Sequence, residues 1–393
     1  MDLEYNPYSE VVRRDPWPLY KRMRDESPVY YIEAFDAWAL TRFEDVWQAS
    51  LNLGSYSAAG GTSMDALLKS PGPQPSVFLF KDPPEHARYR NLIRGPYQKD
   101  AVVRLDEQIR ALARAELARQ MAGGEVEVYS LASRVALYVI ADLIGLERPV
   151  ISHIRALIDR FYQRQPGVAG VTPAGVEAFV ELRAFILALI EDLRRAPPGP
   201  HTHIGAWLAG APGLEPVSDE ELFFSIFAMT VTGSDTVPLS TAASVYYLAR
   251  HPDQMQAVRA DRSLIAHAFE EAARFDQPTN VLGRTVIKDI QIHDKTLKPG
   301  QKVLFLYASA TRDEREFERA DEFLIGRRPQ RTLSFGVGAH FCLGQHLARI
   351  EGRIILEELF EALPDLIVDP ARCTRVDGEF LQGFNHLPIP LRG

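Results

Sequence analysis

From Ser218 to about Arg250 the chain reads as one long helical run, with Pro252 as its stop. Ser218 and Glu221 form an S-x-x-E start, in which each residue can satisfy the other's backbone N–H. At 1.5 Å per residue, about 30 residues span roughly 50 Å, enough to cross the whole molecule. The run is apolar on several sides, as in FFSIFAM from Phe223 to Met229. A helix apolar all round has to be buried, so the rest of the chain must pack around it. Within it lies TVTGSDTVPLS, where Pro238 cannot donate to the Ser234 carbonyl and its ring crowds that oxygen. With Gly233 nearby, the helix is expected to open locally and free backbone polar groups, with Asp235 and Thr236 at the opening. Taken alone, this is a kinked core helix with a capped defect.

The other segments supply the wrapping. A short helix around Pro18 to Asp25 leads to two strand-like runs, VYYIEAF and AWALTR, which read as a hairpin. From Leu53 to Lys81 the text is rich in Gly, Ser and Pro and reads as a long loop of the kind that is often functional. Helical periodicity then dominates from Asp82 to about Asp276, broken by QPGVAGVTPAG from Gln165 to Gly175. These two loops are expected to gate a buried pocket. Strand-like text resumes at Val281, with a hairpin-like IQIHDKTLKPGQKVLFLY; another helix runs to about Leu363, and short strands close the chain. The expected fold is mostly α with a minor β portion around a long central helix. No linker, repeat or low-complexity tract divides the 393 residues, so one catalytic domain over 1–393 is expected, with a β-containing part at about 1–81 and a helix-rich part at about 82–393.

A net charge of −8 gives no whole-protein attraction to nucleic acid or anionic lipid. Two cysteines cannot form a disulfide framework, which suits a reducing cytoplasm. The first residues, MDLEYNPYSEVVRRDPW, are too polar for a signal peptide or anchor, and no uninterrupted apolar run of about 18 residues is seen. A soluble, cytoplasmic, monomeric protein with no membrane or nucleic-acid partner is expected.

One cysteine has unusual surroundings. Cys342 lies in FGVGAHFCLGQHLAR, between Gly336, Gly338 and Gly344, immediately before a helix start. Glycines permit positive φ or close backbone approach. A thiol facing the free N–H groups of a helix start is expected to favour the thiolate. The segment therefore reads as one that presents a sulfur anion to something flat or bulky. A buried structural thiol, a redox thiol, and a zinc site using His340, Cys342 and His346 are the other readings of these residues.

Phe335-Gly336-Val337-Gly338-Ala339-His340-Phe341-Cys342-Leu343-Gly344, followed by Leu347-Ala348-Arg349, resembles the haem-binding signature of the cytochrome P450 monooxygenases. The resemblance implies that Cys342 ligates the iron of haem b and that Phe335, Gly336 and Gly344 lie against the porphyrin. It implies that His86 and Arg90 of DPPEHARYR, Arg284 and His340 meet the haem propionates. Glu271 and Arg274, an E-x-x-R pair, would form a buried structural triad with Arg327. TGSDT resembles the family's oxygen-groove motif, with Gly233 as the small residue and Asp235 and Thr236 delivering protons. Thr232 departs from that motif, standing where the family has Ala or Gly.

The function so implied is insertion of one atom of O₂ into an apolar organic molecule of terpenoid, aromatic, steroid or fatty-acid type. Electrons would come from NAD(P)H through a ferredoxin reductase and a ferredoxin docking near Arg328 and Arg349, on a face that Arg331 also makes basic. A peroxide-driven peroxygenase and a haem-based binding or sensor protein are the rival readings; the acid–alcohol pair argues against both. Phe78, Phe80, Met229, Thr232, Val281, Leu282 and Phe384 are the candidates for lining a substrate pocket.

Overall fold

In a computed structural model, which describes residues 3–69, 77–165, 170–211 and 217–391, helices predominate and the strands are short. The central run forms as two helices, Asp219–Ser234 and Thr236–Arg250, meeting at Asp235. At its start the Glu221 N–H donates to Ser218 Oγ at 3.2 Å, and the Ser218 N–H donates to Glu221 Oε2 at 3.0 Å. Asp219, Glu220 and Glu221 place negative charge at the positive end of the helix dipole. By length and composition the stretch Asp219–Arg250 could cross a membrane, which the reading of the sequence had not expected. However, 72% of its apolar window is buried within the protein, so the fold itself covers those faces.

Four helices provide that cover. Val128–Ile144 packs along both halves, Pro173–Arg195 along the first half, and Leu264–Phe275 and Gln345–Ala362 along the second. Leu222, Phe223, Ile226, Ala242 and Val245 join Ile140, Phe269 and Ile354 in one apolar core. Burying each such side chain contributes about 1.5–3 kcal/mol. The helix meets Val128–Ile144 closely at Gly233, where a Cβ would lie 2.5 Å from Ile140 Cγ1. Gly233 is therefore required by helix packing, a role its sequence context did not reveal.

The strands Val29–Ile32 and Ala37–Leu40 form the expected antiparallel hairpin. Ala37–Leu40 then pairs in parallel with Lys302–Phe305, which pairs antiparallel with Leu282–Val286. Tyr56–Ser57 completes this five-stranded sheet at the edge beside Leu282–Val286. The N-terminal strands thus share a sheet with residues 282–305 rather than forming a layer of their own. Two readings of the sequence are corrected here. The hairpin after Val281 closes within Ile290–Ile292 and Lys295–Leu297, while Lys302–Phe305 goes to the large sheet. The stretch from Leu53 to Lys81 includes the Tyr56–Ser57 strand and a 3₁₀ turn at Phe78–Phe80; its residues 70–76 lie outside the described residues. Residues 166–169 of the second loop also lie outside them, and the following helix starts on Thr172, whose Oγ1 accepts from the Gly175 N–H at 3.1 Å.

Candidate active site

The segment before the Gln345–Ala362 helix is irregular, and Gly336 and Gly338 hold φ values of +69° and +79°. At Gly338 a Cβ would also come within 2.8 Å of the Ser50 carbonyl oxygen, whereas at Gly336 it would meet nothing within 4 Å. Gly344 has an ordinary negative φ and caps the helix, so two of the three glycines, not all three, need left-handed backbone. The Cys342 N–H donates to the Phe335 carbonyl at 2.9 Å and closes the loop on itself. Burial pushes the Cys342 thiol up, while the Gly344 N–H and the cations Arg90 and Arg349 pull it down. Burial outweighs them, so the helix start alone does not hold a thiolate, contrary to expectation. A bound cation would do so, since coordination deprotonates a thiol outright.

Cys342 and the break in the central helix line the same cavity. Phe335, Gly336, His340 and Gly344 border it beside Cys342, and Thr232, Gly233, Asp235 and Thr236 border it from the helix. The Thr232 hydroxyl donates back to the Ala228 carbonyl at 2.8 Å, a bond within its own helix turn. Asp235 is almost fully buried and pairs with Arg155, whose Nη1 also donates to Ser234 Oγ at 3.0 Å. Burial pushes the Asp235 carboxyl up and the charge of Arg155 opposes it. Arg155 comes from the Arg148–Tyr162 helix, 80 residues away, and no local pattern in the sequence marks it as a partner.

Two arginines and two histidines meet at one corner of the site, within the field of Asp82. The His86 and His340 rings lie 4.2 Å apart between centroids, and each has a buried Nε2 without a partner among the described residues. Burial, aided by nearby arginines, pushes His86 down to about 4 and His340 down to about 3, so both are neutral. Arg90 donates to the Phe341 carbonyl, and Arg284 Nη1 donates to the Gly283 carbonyl at 2.7 Å. Neither arginine has a carboxylate within ion-pair distance among the described residues. Arg284 is buried and Arg90 half-buried, and carboxylates entering the cavity would pair with both and accept from the two rings.

Of the expected pocket residues, Phe78, Met229, Thr232 and Leu282 line the cavity. Three do not. Val281 points the other way from Leu282, as successive strand residues do, and packs with Tyr20 and Leu304 in a separate core. Phe384 stacks on Tyr246 at 4.1 Å beneath the Arg375 guanidinium. Phe80 is partly buried and packs against the helical core. Ile140, Val237, Phe380 and Leu381 line the cavity without having been anticipated.

Glu271 and Arg274 form a buried bidentate pair, with Nε to Oε2 at 2.8 Å and Nη2 to Oε1 at 2.7 Å. Arg327 Nε and the Leu324 N–H reach the same Oε1 at 3.2 and 2.9 Å. The surface expected to be basic is largely neutralised: Arg331 pairs with Glu316 and Glu44, and Arg349 with Glu270 at 2.7 Å. Arg349 also lies 4.3 Å over the Phe335 ring, whereas Arg328 is exposed and bonded to backbone carbonyls. Among the described residues no group of three or more His, Cys, Asp or Glu could hold a metal ion, so His340, Cys342 and His346 make no zinc site.

A family model described as "Cytochrome P450" matches residues 208–364. The chain is 36% identical over 394 residues to the putative cytochrome P450 123 of Mycobacterium tuberculosis, covering 100% of this chain and 98% of that one. It is 30% identical over 402 residues to cytochrome P450-terp of a Pseudomonas species, covering 95% and 92%. The crystal structure of CYP109E1 from Bacillus megaterium in complex with testosterone matches with a TM-score of 0.87 at 24% identity, covering 97% of this chain and 99% of that one.

Proposed function

Because this chain belongs to the bacterial cytochrome P450 family, we propose that it holds haem b on Cys342 and oxidises a small apolar substrate with O₂. One observation carries the reading: Cys342, the cationic side chains Arg90 and Arg284 with His340, and a broken helix with a buried acid all border one cavity. Bound there, haem supplies the oxidising chemistry: one oxygen atom enters the substrate and the other leaves as water, consuming two electrons and two protons.

The chain's own residues do the rest. Cys342 would hold the iron through its sulfur as a thiolate. His86 and His340 donate from their neutral rings, and Arg90 and Arg284 supply charge, to the two propionates. Phe335, Gly336 and Gly344 flank the ring, and Gly233 lets the central helix sit close behind the cavity. Asp235, which burial inclines towards protonation and Arg155 towards ionisation, can take up and release a proton at its carboxyl, and Thr236 passes it on from the helix break. Glu271, Arg274 and Arg327 fix the segment leading to the thiolate loop. Phe78, Met229, Leu282, Ile140 and Phe380 make a wall that favours apolar substrates over charged ones.

We take the chain as a single catalytic unit, since strands near both ends of its sequence build one sheet. Electrons would arrive from NAD(P)H through a reductase and a ferredoxin. Reconstituting the protein with NADH, reductase and ferredoxin, and separately with hydrogen peroxide, tests the reading on a panel of terpenoids, steroids, aromatics and fatty acids. Product that requires the protein pair supports a monooxygenase. Product from peroxide alone, with none from the pair, contradicts it.

A further inference from the structure

Phe380 and Leu381 enter the cavity from an irregular turn near the end of the chain. One side of this turn is pinned to residues 278–280. The Asn280 N–H donates to the Phe380 carbonyl and the Gln382 N–H to the Pro278 carbonyl, both at 2.9 Å, and Thr279 and Leu381 form an antiparallel bridge. Asn280 Nδ2 donates to the Glu379 carbonyl at 2.8 Å, and the Tyr20 hydroxyl donates to Asn280 Oδ1 at 2.8 Å.

The other side is held by a buried ion pair. Arg164 Nη2 and Nε donate to Glu379 Oε1 and Oε2 at 2.8 and 3.4 Å, with side chains only 11% and 4% exposed. Arg164 follows the Arg148–Tyr162 helix by two residues, and its guanidinium lies 5.9 Å from the Tyr162 ring centre. The same helix supplies Arg155 to Asp235. This helix and the residues just after it therefore pair with a buried acid at the helix break and with another next to Phe380. Neither Arg164 nor Glu379 lines the cavity.

We propose that the Arg164–Glu379 pair positions Phe380 and Leu381, making two residues outside the cavity determinants of which apolar substrates it admits. This rests on the haem-enzyme reading of that cavity. Removing Arg164 leaves the buried Glu379 charge, which the turn must move to hydrate; removing both leaves no charge to expose. The single variant therefore displaces the wall more than the double variant does.

Optical titration of the haem-loaded protein with imidazole and with 4-phenylimidazole tests this. Imidazole is small enough to reach the iron without touching the wall, whereas the phenyl ring has to fit beside it. Arg164→Met should change the ratio of the two affinities by about tenfold, while the Arg164→Met/Glu379→Gln double variant returns to within about threefold of wild type. Imidazole itself should bind all variants within about twofold of wild type. Should Arg164→Met not fold, Arg164→Gln, which removes the same charge but keeps a polar side chain, is expected to shift the ratio in the same direction. An unchanged ratio in the single variants, or a double variant as altered as Arg164→Met, overturns the positioning role. A wild-type protein with no optical response to imidazole instead overturns the haem reading beneath it.

Discussion

Arg155 holds Asp235 at the break in the central helix and, through the same guanidinium, holds the surface carboxylate Asp159 at 2.5 Å. The buried acid is thereby tied, through one guanidinium, to a side chain that is 54% exposed. Asp235→Asn should lower substrate-dependent turnover by about 10²-fold, the usual range for loss of a proton-transfer group. Thr236→Ala should still consume NADH with its partners but release more peroxide and less product. Product yield per NADH measures both effects, and full coupling in either variant argues against a proton role for that residue.

Glu271 accepts from Arg274, Arg327 and the Leu324 N–H in a place closed to water. Glu271→Gln leaves two arginines short of a counter-charge, and breaking a buried pair in this way costs about 3–5 kcal/mol. Urea denaturation of the haem-free protein should show a loss of that size, with the same fold by circular dichroism. A change under about 0.5 kcal/mol would place the triad among exposed pairs of little worth.

His203 sits fully buried beside Tyr97 and Trp207, with no partner for either ring nitrogen among the described residues. Burial pushes it down to about 3, against about 6.5 in an unfolded chain. Between those values the unfolded state binds a proton that the folded state refuses. This contribution to stability is complete above about pH 6.5 and is lost as pH falls towards 3. His203→Phe should flatten the fall in unfolding free energy by about 1.4 kcal/mol per pH unit between about pH 6 and 4. Denaturant titrations across that window decide it; an unchanged slope means that His203 does not titrate with folding.

What the sequence made legible is local. The S-x-x-E start, the Pro238 break and the glycines around Cys342 act within a few residues, so their consequences appear where the text places them. The cavity walls and charge partners are not local. Arg155 and Arg164 reach acids 80 and 215 residues away, and nothing in IRALIDR or YQRQ points to them. The pocket residues show the same limit: Leu282 faces the cavity and Val281 faces a core, a choice set by strand register. Near the chain end, Phe380 and Phe384 look equivalent in the text, yet backbone bonds to Asn280 bring the first to the cavity and leave the second on Tyr246.

Electron delivery should depend on Arg328 more than on Arg349, because Arg349 is occupied by Glu270 and by the Phe335 ring. Arg328→Glu should slow ferredoxin-supported reduction several-fold at low salt, reduce its salt sensitivity and leave ligand titrations unchanged. Stopped-flow reduction rates at low and high ionic strength measure this. A wild-type rate in the variant at low salt places the docking surface elsewhere.

The assignment of Cys342 as the haem ligand underlies every role above, and the absorption spectrum of the reduced, carbon monoxide-bound protein tests it most directly. Cys342→Ser removes the thiolate donor while keeping the loop and its glycines, so the thiolate-type Soret band should vanish from the spectrum. Cys373→Ser, which changes the chain's other cysteine, should retain that band in full. The same thiolate band in wild type and in Cys342→Ser would contradict the account.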